Sequence, residues 1–439
     1  MKQVVNLGSP AMGFADYVER LGRLLTSCSD NEKPELERIE LALDGEPGRE
    51  LRRHYPLADL RASGTFLTGS KLANTLVAQA MRGTSNNDVF CDPACGAGDL
   101  LVAAARHLPV GPDLGQTLAR WGRRLVGFDV QPLLVHAAKT RLALLAIRRG
   151  ASRTATARLN LDALFPHIRV HDGTTLWRLP PGPVCVLVNP PFTRMKAPGA
   201  CDWASGSVSQ AALFIEACLL QTIGPFQIHA ILPDVLRTGS RYGKWRKLMN
   251  EKARVCDVMR IGIFDRWTDV DVFTARFEVP GIDLNCDWGV PPKSAAPLVG
   301  DHFEIRVGSI VSYRHKHEGP WLPFAHARPL HLWTRVTDLP ELIRSNEKSF
   351  RPPFVLIRRT SRPGDRFRAA GTIITGMPEV AVENHLLVAL PKDRTFRSCR
   401  ALLKVLQHPA SNAWLNQRIC CRHLTVSALR DLPWIISDE

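Results

Sequence analysis

Apolar residues recur at helical spacing near the N-terminus, at Phe14, Tyr17, Val18, Leu21, Leu24 and Leu25. That pattern predicts an amphipathic helix. A second helical stretch is expected after Pro34, and both should cap or flank the domain that follows. Over residues 88–279 the pattern changes to short apolar runs alternating with longer helical ones. Strands are predicted at 89–91, 125–128, 168–170, 184–188, 228–232, 255–261 and 270–279. Helices are predicted at 100–107, 133–147, 210–222 and 242–251. Continuous apolar strands alternating with helices imply a mostly parallel, doubly wound α/β sheet buried on both faces. The last run is long and alternating, which suits an antiparallel edge strand.

After Pro280-Gly281 the regularity fades, and Pro291-Pro292-Lys293-Ser294-Ala295-Ala296-Pro297 reads as a linker. Beyond it the chain is richer in arginine: residues 301–439 hold 21 basic and 13 acidic side chains, and 351–370 alone hold six arginines and one acid. The expected division is a helical segment 1–60, an α/β domain 61–285, and a smaller α+β domain 295–439. A chain of 439 residues is long enough for this, at about 150 residues per domain.

Net charge sharpens the picture. Lysine and arginine exceed aspartate and glutamate by 15, and the pI is about 9.6. Such a balance favours a polyanionic partner, most often nucleic acid. No run approaches the roughly 18 apolar residues of a membrane span, and the first 14 residues lack a signal-peptide core. A cytoplasmic protein with no membrane partner is expected. The eleven cysteines include no Cys-x-x-Cys pair. Cys420, Cys421 and His423 face no second half-site at zinc spacing, so no metal is expected and the cysteines read as free thiols.

The chemistry concentrates where strands meet turns. The first strand runs into Asp92-Pro93-Ala94-Cys95-Gly96-Ala97-Gly98-Asp99 and then a helix. Strand, glycine turn and helix bring backbone N–H groups beside a nucleotide-like ligand. There is no third glycine at dinucleotide spacing and no Lys-Ser/Thr of a triphosphate loop. An acid at the strand end suits a cationic methionine moiety better than a pyrophosphate. The second strand ends on Asp129, placed to accept from ribose hydroxyls, though a helix-capping role is the alternative. The distance from Asp92 is longer than usual, so residues 107–121 read as an insertion. Asp172, after the third strand, could accept from an adenine amino group.

The most telling element is Asn189-Pro190-Pro191-Phe192, directly after the apolar run 184–188. The prolines hold Asn189 and the Pro190 carbonyl rigidly at the C-terminal edge of the sheet, where open α/β sheets bind ligands. Two acceptors there can take both hydrogens of one amino group, and Phe192 can stack on a planar base.

In this order the elements resemble those of amino-group DNA methyltransferases. Upstream, the segment Gly64-Thr65-Phe66-Leu67-Thr68-Gly69-Ser70-Lys71-Leu72-Ala73 is similar to the family's first cofactor motif, with Gly69 where proline is usual. A motif of this kind before the glycine turn and a basic domain after the catalytic one is the gamma-class layout of TaqI-type restriction–modification enzymes. Over 300–439 only the general layout and segments such as Val382-Glu383-Asn384-His385 resemble the family.

The resemblance implies a class I methyltransferase domain over 61–285, a DNA target-recognition domain over 295–439, and S-adenosylmethionine as cofactor. The cofactor would be lined by Thr68, Asp92, Pro93, Ala94, Cys95, Gly96, Gly98, Asp129, Asp172 and Pro191. Asn189, Pro190, Pro191 and Phe192 would form the catalytic turn that holds N6 of a flipped adenine. Trp267 would stack on the base beside Phe192, with Phe264 as the second choice. Arg358, Arg359, Arg362, Arg366 and Arg368 would contact double-stranded DNA. The alternatives are methylation of RNA, protein glutamine or cytosine N4, or a non-catalytic DNA-binding subunit. Pro233-Asp234 opens no nuclease motif, because no lysine has an acid two residues before it. A cognate restriction endonuclease would therefore be a separate protein.

Overall fold

The computed structural model describes residues 13–27, 33–85, 87–152, 159–221, 224–282, 286–289, 296–419 and 422–435. Most of the linker read at 291–297, and the pair Cys420 and Cys421, lie outside the described residues. The chain divides into two compact units, Met1–Trp288 and Gly289–Glu439.

The first unit is built on a seven-stranded sheet. Its strands are β1 (Val89–Asp92), β2 (Leu125–Asp129), β3 (Ile168–Val170), β4 (Val184–Val188), β5 (Phe226–Pro233), β6 (Arg254–Ile263) and β7 (Asp271–Val279). The central β4 is apolar along its length, β1 is apolar up to its terminal Asp92, and both are buried at every residue, as strands covered on both faces must be. The order is β3-β2-β1-β4-β5-β7-β6. β1 to β5 pair in parallel, and β7 runs antiparallel between β5 and β6. The sequence pattern gave β7 the right direction and the wrong place. It leaves the β6 hairpin and returns into the slot beside β5, so it is an inner strand. β6, with half of its residues exposed, is the edge. This order, with one antiparallel strand inserted, is that of the class I methyltransferase fold.

The chain moves from β1 outward to β2 and β3, then crosses back to β4 on the other side of β1. A crevice therefore opens at the C-terminal ends of β1 and β4, the switch point where open sheets take ligands. Both candidate turns, after Asp92 and after Val188, fall at this crevice.

Helices α1 (Gly13–Ser27), α2 (Lys33–Leu43), α3 (Glu46–His54), α4 (Leu57–Ser63) and α5 (Ser70–Ala80) precede the sheet. The six apolar residues of α1 are all buried and share one core with α6 (Asp99–Ala105) and α8 (Pro132–Arg148). The insertion between β1 and β2 folds into α7 (Leu114–Gly122). Asp113 caps it by accepting from Gln116 N at 2.7 Å, and buried Trp121 anchors it by donating to the Pro109 carbonyl at 2.9 Å.

The second unit is α+β. Strands β8 (Phe303–Val307), β9 (Arg335–Val336), β10 (Phe354–Arg358), β11 (Gly371–Ile374) and β12 (Leu386–Pro391) form one sheet in the order β8-β12-β10-β11-β9. Strand alternation splits its side chains. Val355, Ile357, Leu387 and Ala389 share a core with helices Phe396–Gln407 and Pro409–Arg418, while Phe354, Leu356, Leu386 and Val388 pack into a second cluster with Phe350 and Val382.

Candidate active site

The turn after β1 needs its glycines. Gly96 (φ 52°) and Gly98 (φ 83°) are left-handed. A Cβ on Gly96 would lie 2.7 Å from Leu67 Cδ2, and one on Gly98 would lie 2.9 Å from the Ala138 Cβ. The turn is thus pressed between the segment before α5 and helix α8. Asp92 is 1% exposed and accepts from Ala94 N at 3.1 Å, bracing the turn from below; burial pushes its carboxyl well above the usual range.

At the tip of β2, Asp129 accepts from Gly96 N at 3.0 Å through one oxygen and from Gln131 N at 2.8 Å through the other. These backbone bonds fix the carboxylate, tying the two turns together and opening α8. An ionised carboxylate has about four acceptor sites, so acceptor capacity remains for a ligand. Burial pushes the Asp129 carboxyl up to about 6. Asp129, Ala94, Gly96, Asn189, Pro191 and residues 63–67 line a cavity of about 190 Å³. A second cavity, about 640 Å³, shares Ala94, Asp129 and Pro191 and extends past Pro93 to Asp172 and Gly173. Asp172 is exposed and accepts from Thr174 N at 2.9 Å and Thr174 Oγ1 at 2.7 Å. Its turn lies against Pro93, whose carbonyl oxygen would sit 1.8 Å from a Cβ on Gly173. Asp92, Cys95 and Gly98 line neither cavity; Cys95 is buried, next to where a Cβ on Gly127 would point.

The turn after β4 supplies the third wall. Gly64 is left-handed at φ 73°, and its Cβ would lie 3.0 Å from Pro191 Cβ, so the segment before α5 rests directly on the Pro-Pro step. Further along, Thr68 Oγ1 accepts from Asn189 Nδ2 at 3.0 Å. That bond fixes the Asn189 amide plane. Its Oδ1 is buried and has no hydrogen-bond partner among the described residues. A buried amide oxygen without a donor costs about 1–3 kcal/mol. This one belongs to a residue lining the cavity. Thr68 itself does not line the cavity; it acts on Asn189, and residues 63–67 provide the wall.

Beyond the turn, Phe192 meets Phe264 edge to face, with centroids 5.3 Å apart at 82°. Trp267 is elsewhere: it is 37% exposed and stacks with Arg266, 4.5 Å from its ring centroid. The structure therefore pairs Phe264, rather than Trp267, with Phe192. Chain spacing cannot choose between two aromatics three residues apart on a turn.

Sequence reasoning missed Arg141. It is fully buried on α8 and pairs with Asp99 at 2.9 Å. It also donates to the carbonyls of Ala97 in the glycine turn and Ala42 in α2, and Asp99 accepts from Gly69 N at 2.7 Å. One ion pair thus joins the glycine turn, the Thr68 segment and the N-terminal helices. A single arginine inside the apolar run 133–147 was the available signal. Asp234 forms a similar buried pair with Arg237 at 2.7 Å, so Pro233-Asp234 is a strand end followed by a structural helix start.

No protein-family model matches the chain, and no curated protein sequence matches it. Solved structures do. One assigned to the class I S-adenosylmethionine-dependent methyltransferases, from Listeria monocytogenes, is 15% identical over 65% of this chain and 90% of its own, with a TM-score of 0.36. The M protein of the type I restriction enzyme EcoKI is 15% identical over 62% of this chain and 64% of its own, at 0.35. The type IIL restriction–modification enzyme MmeI, solved in complex with DNA, is 11% identical over 97% of this chain and 68% of its own, at 0.42. This chain spans about two-thirds of the length of the latter two. The likenesses are distant, and the fold assignment stands on the sheet order itself.

In the second unit the five arginines separate. Arg368 is 1% exposed and donates to Ser361 Oγ and the Ile419 carbonyl, so it is a core residue and cannot reach a phosphate, which corrects its reading as a DNA contact. Arg358 donates to the carbonyls of Ala327 and Leu330, and Arg359 to that of Asn384. Arg362 and Arg366 are exposed, the latter stacked on Phe367. Among the described residues no group of three His, Cys, Asp or Glu side chains is placed to hold a metal.

Proposed function

We propose that this chain is an S-adenosylmethionine-dependent DNA methyltransferase acting on N6 of an adenine flipped out of the duplex, as the modification enzyme of a restriction–modification or defence system. The observation that carries the reading is the Asn189 side chain. Its nitrogen is held by Thr68, and its oxygen is buried, without a partner among the described residues, and on a residue lining the crevice. An acceptor left open on a residue that lines the crevice is available to a ligand donor.

The cradle fits S-adenosylmethionine. Ala94, Gly96 and Pro191 would flank it, Asp129 would accept from the ribose hydroxyls, and Pro93 and Asp172 would lie toward the adenine end. When bound, it supplies a methyl group already activated by the sulfonium. The protein's task is then the nucleophile. An exocyclic amino group is a poor one, because its lone pair is delocalised into the ring. Asn189 Oδ1 and the Pro190 carbonyl would accept its two hydrogens, drawing the nitrogen toward tetrahedral geometry and freeing the lone pair. This is preorganised electrostatics and positioning, with no strong base required. Phe192 and Phe264 would wall the base. An adenine within a duplex cannot reach a crevice at a sheet edge, so it must flip. Target recognition is assigned to residues 295–439, where Arg362 and Arg366 are exposed for phosphate contacts.

The test is to incubate the protein with duplex DNA and a methyl-labelled donor, then hydrolyse to nucleosides. Label in N6-methyldeoxyadenosine is expected. Label in N4-methyldeoxycytidine would move the reading to cytosine. Label appearing in RNA or protein glutamine, with none in DNA, would refute it.

A further inference from the structure

Beside the aromatic pair lies a charge cluster that the reading above does not use. Helices α3 and α4 carry Arg49, Arg52 and Arg61, and the turn between β6 and β7 carries Arg266 and Trp267. The Arg266 guanidinium lies 4.5 Å from the Trp267 ring centroid and that of Arg52 lies 5.7 Å from it. Arg61 donates to the Trp267 backbone carbonyl. Burial, together with the charges of Arg49 and Arg266, lowers the pKa of Arg52, while Asp265 opposes them. Asp265 is the carboxylate that acts on Arg52, and it is engaged in its own turn by Trp267 N, Thr268 N and the Thr268 hydroxyl, while Glu46 acts on Arg49. None of the four guanidiniums forms an ion pair within 4.0 Å among the described residues.

Like charges gathered this way repel one another, and a polyanion relieves the repulsion. A guanidinium stacked on an indole keeps its N–H donors at its edge, directed away from the ring, where they suit phosphate oxygens. The position matters as much as the charge. Ser63 and Gly64, just after Arg61, line the cavity with Asn189, and Phe264, just before Asp265, packs on Phe192.

We propose that Arg52, Arg61 and Arg266, organised on Trp267, bind the phosphodiester backbone of the substrate strand beside the target nucleotide. Trp267 is then the platform of a phosphate clamp and not a wall of the base pocket. The inference rests on the DNA-methyltransferase reading above and extends nucleic-acid contact to the N-terminal helices.

The test uses the full chain and a fluorescein-labelled duplex, with anisotropy followed across salt concentrations. Each neutralised phosphate contributes about 0.9 to the slope of log affinity against log salt. Arg52→Ala/Arg266→Ala should flatten the slope by roughly 1.8, with S-adenosylmethionine affinity unchanged and the melting temperature not lowered. Arg266 is exposed, so Arg266→Ala alone is safe for folding and should remove about half of that. Trp267→Leu should raise KM for DNA while leaving kcat at saturating DNA unchanged; a fall in kcat would return Trp267 to the base pocket and overturn its platform role. If the wild-type protein methylates DNA but Arg266→Ala keeps the wild-type slope and affinity, the clamp is wrong and the activity stands. If the wild-type protein neither binds nor methylates duplex DNA, both fall together.

Discussion

Asn189→Ala separates catalysis from stability in a way few substitutions at a buried polar site do. Among the described residues the amide makes one hydrogen bond, from Nδ2 to Thr68 Oγ1 at 3.0 Å, and Oδ1 is buried without a donor. Truncation removes the hydrogen bond, a loss of about 0.5–1.5 kcal/mol, and also removes the unsatisfied oxygen, a relief of about 1–3 kcal/mol. The two oppose each other, so the unfolding free energy should lie between about 0.5 kcal/mol below and about 2.5 kcal/mol above that of the wild type. Activity should respond very differently. Loss of one preorganised group at a reacting centre costs about 2.7–4 kcal/mol, or roughly 10²–10³ in rate. Single-turnover methyl transfer with saturating DNA and cofactor reads the rate, and denaturant melts read the stability. Calorimetry should find cofactor affinity little changed, because Asp129 and the glycine turn would carry it. A variant turning over within tenfold of wild type would refute the catalytic role. A loss of several kcal/mol in stability would show that Oδ1 has an internal partner and that the open acceptor is an illusion.

Other consequences follow from the same geometry. Burial raises the Asp129 carboxyl to about 6 from an unfolded value near 3.9. Its folded pKa is the higher one, so its contribution to stability is full below about pH 4 and lost as pH rises through 6. Binding runs the opposite way, because the ionised form accepts from ribose hydroxyls: cofactor affinity measured by calorimetry should fall about tenfold between pH 7 and 5, and Asp129→Asn should be weaker but flat over that range. Arg141→Ala strands Asp99 in the core and should cost about 3–5 kcal/mol in chemical denaturation, with Arg141→Met/Asp99→Asn costing much less. In the second unit, Arg362→Ala/Arg366→Ala should flatten the salt dependence of DNA binding by up to roughly 1.8. Arg368→Ala should lower the melting temperature and leave that slope alone, since its guanidinium is hydrogen-bonded in the core; an altered slope would mean that it reaches DNA after all.

The sequence by itself determined what depends on local patterning. Runs such as 184–188 are short and apolar at every position, the pattern of strands buried on both faces, and the turns after β1 and β4 were legible because glycine permits and proline fixes backbone conformations that end a strand. The α1 stripe from Phe14 to Leu25 was legible for the same reason, since its period alone fixes the buried face. What the tertiary structure decided are relations between segments far apart in the chain. β7 entered the sheet because a slot beside β5 buries it better than the edge does, and no local pattern encodes a neighbour 45 residues upstream. Phe264 rather than Trp267 faces Phe192 because the turn at 264–270 presents one ring inward and leaves the other among arginines. Arg368 and Arg362 read alike in an arginine-dense stretch, but one guanidinium found carbonyl and hydroxyl partners in the core and the other stayed at the surface. The open oxygen of Asn189 is the clearest case. Its residue type was readable, but its readiness to accept depends on Thr68, 121 residues earlier, holding the other end of the amide.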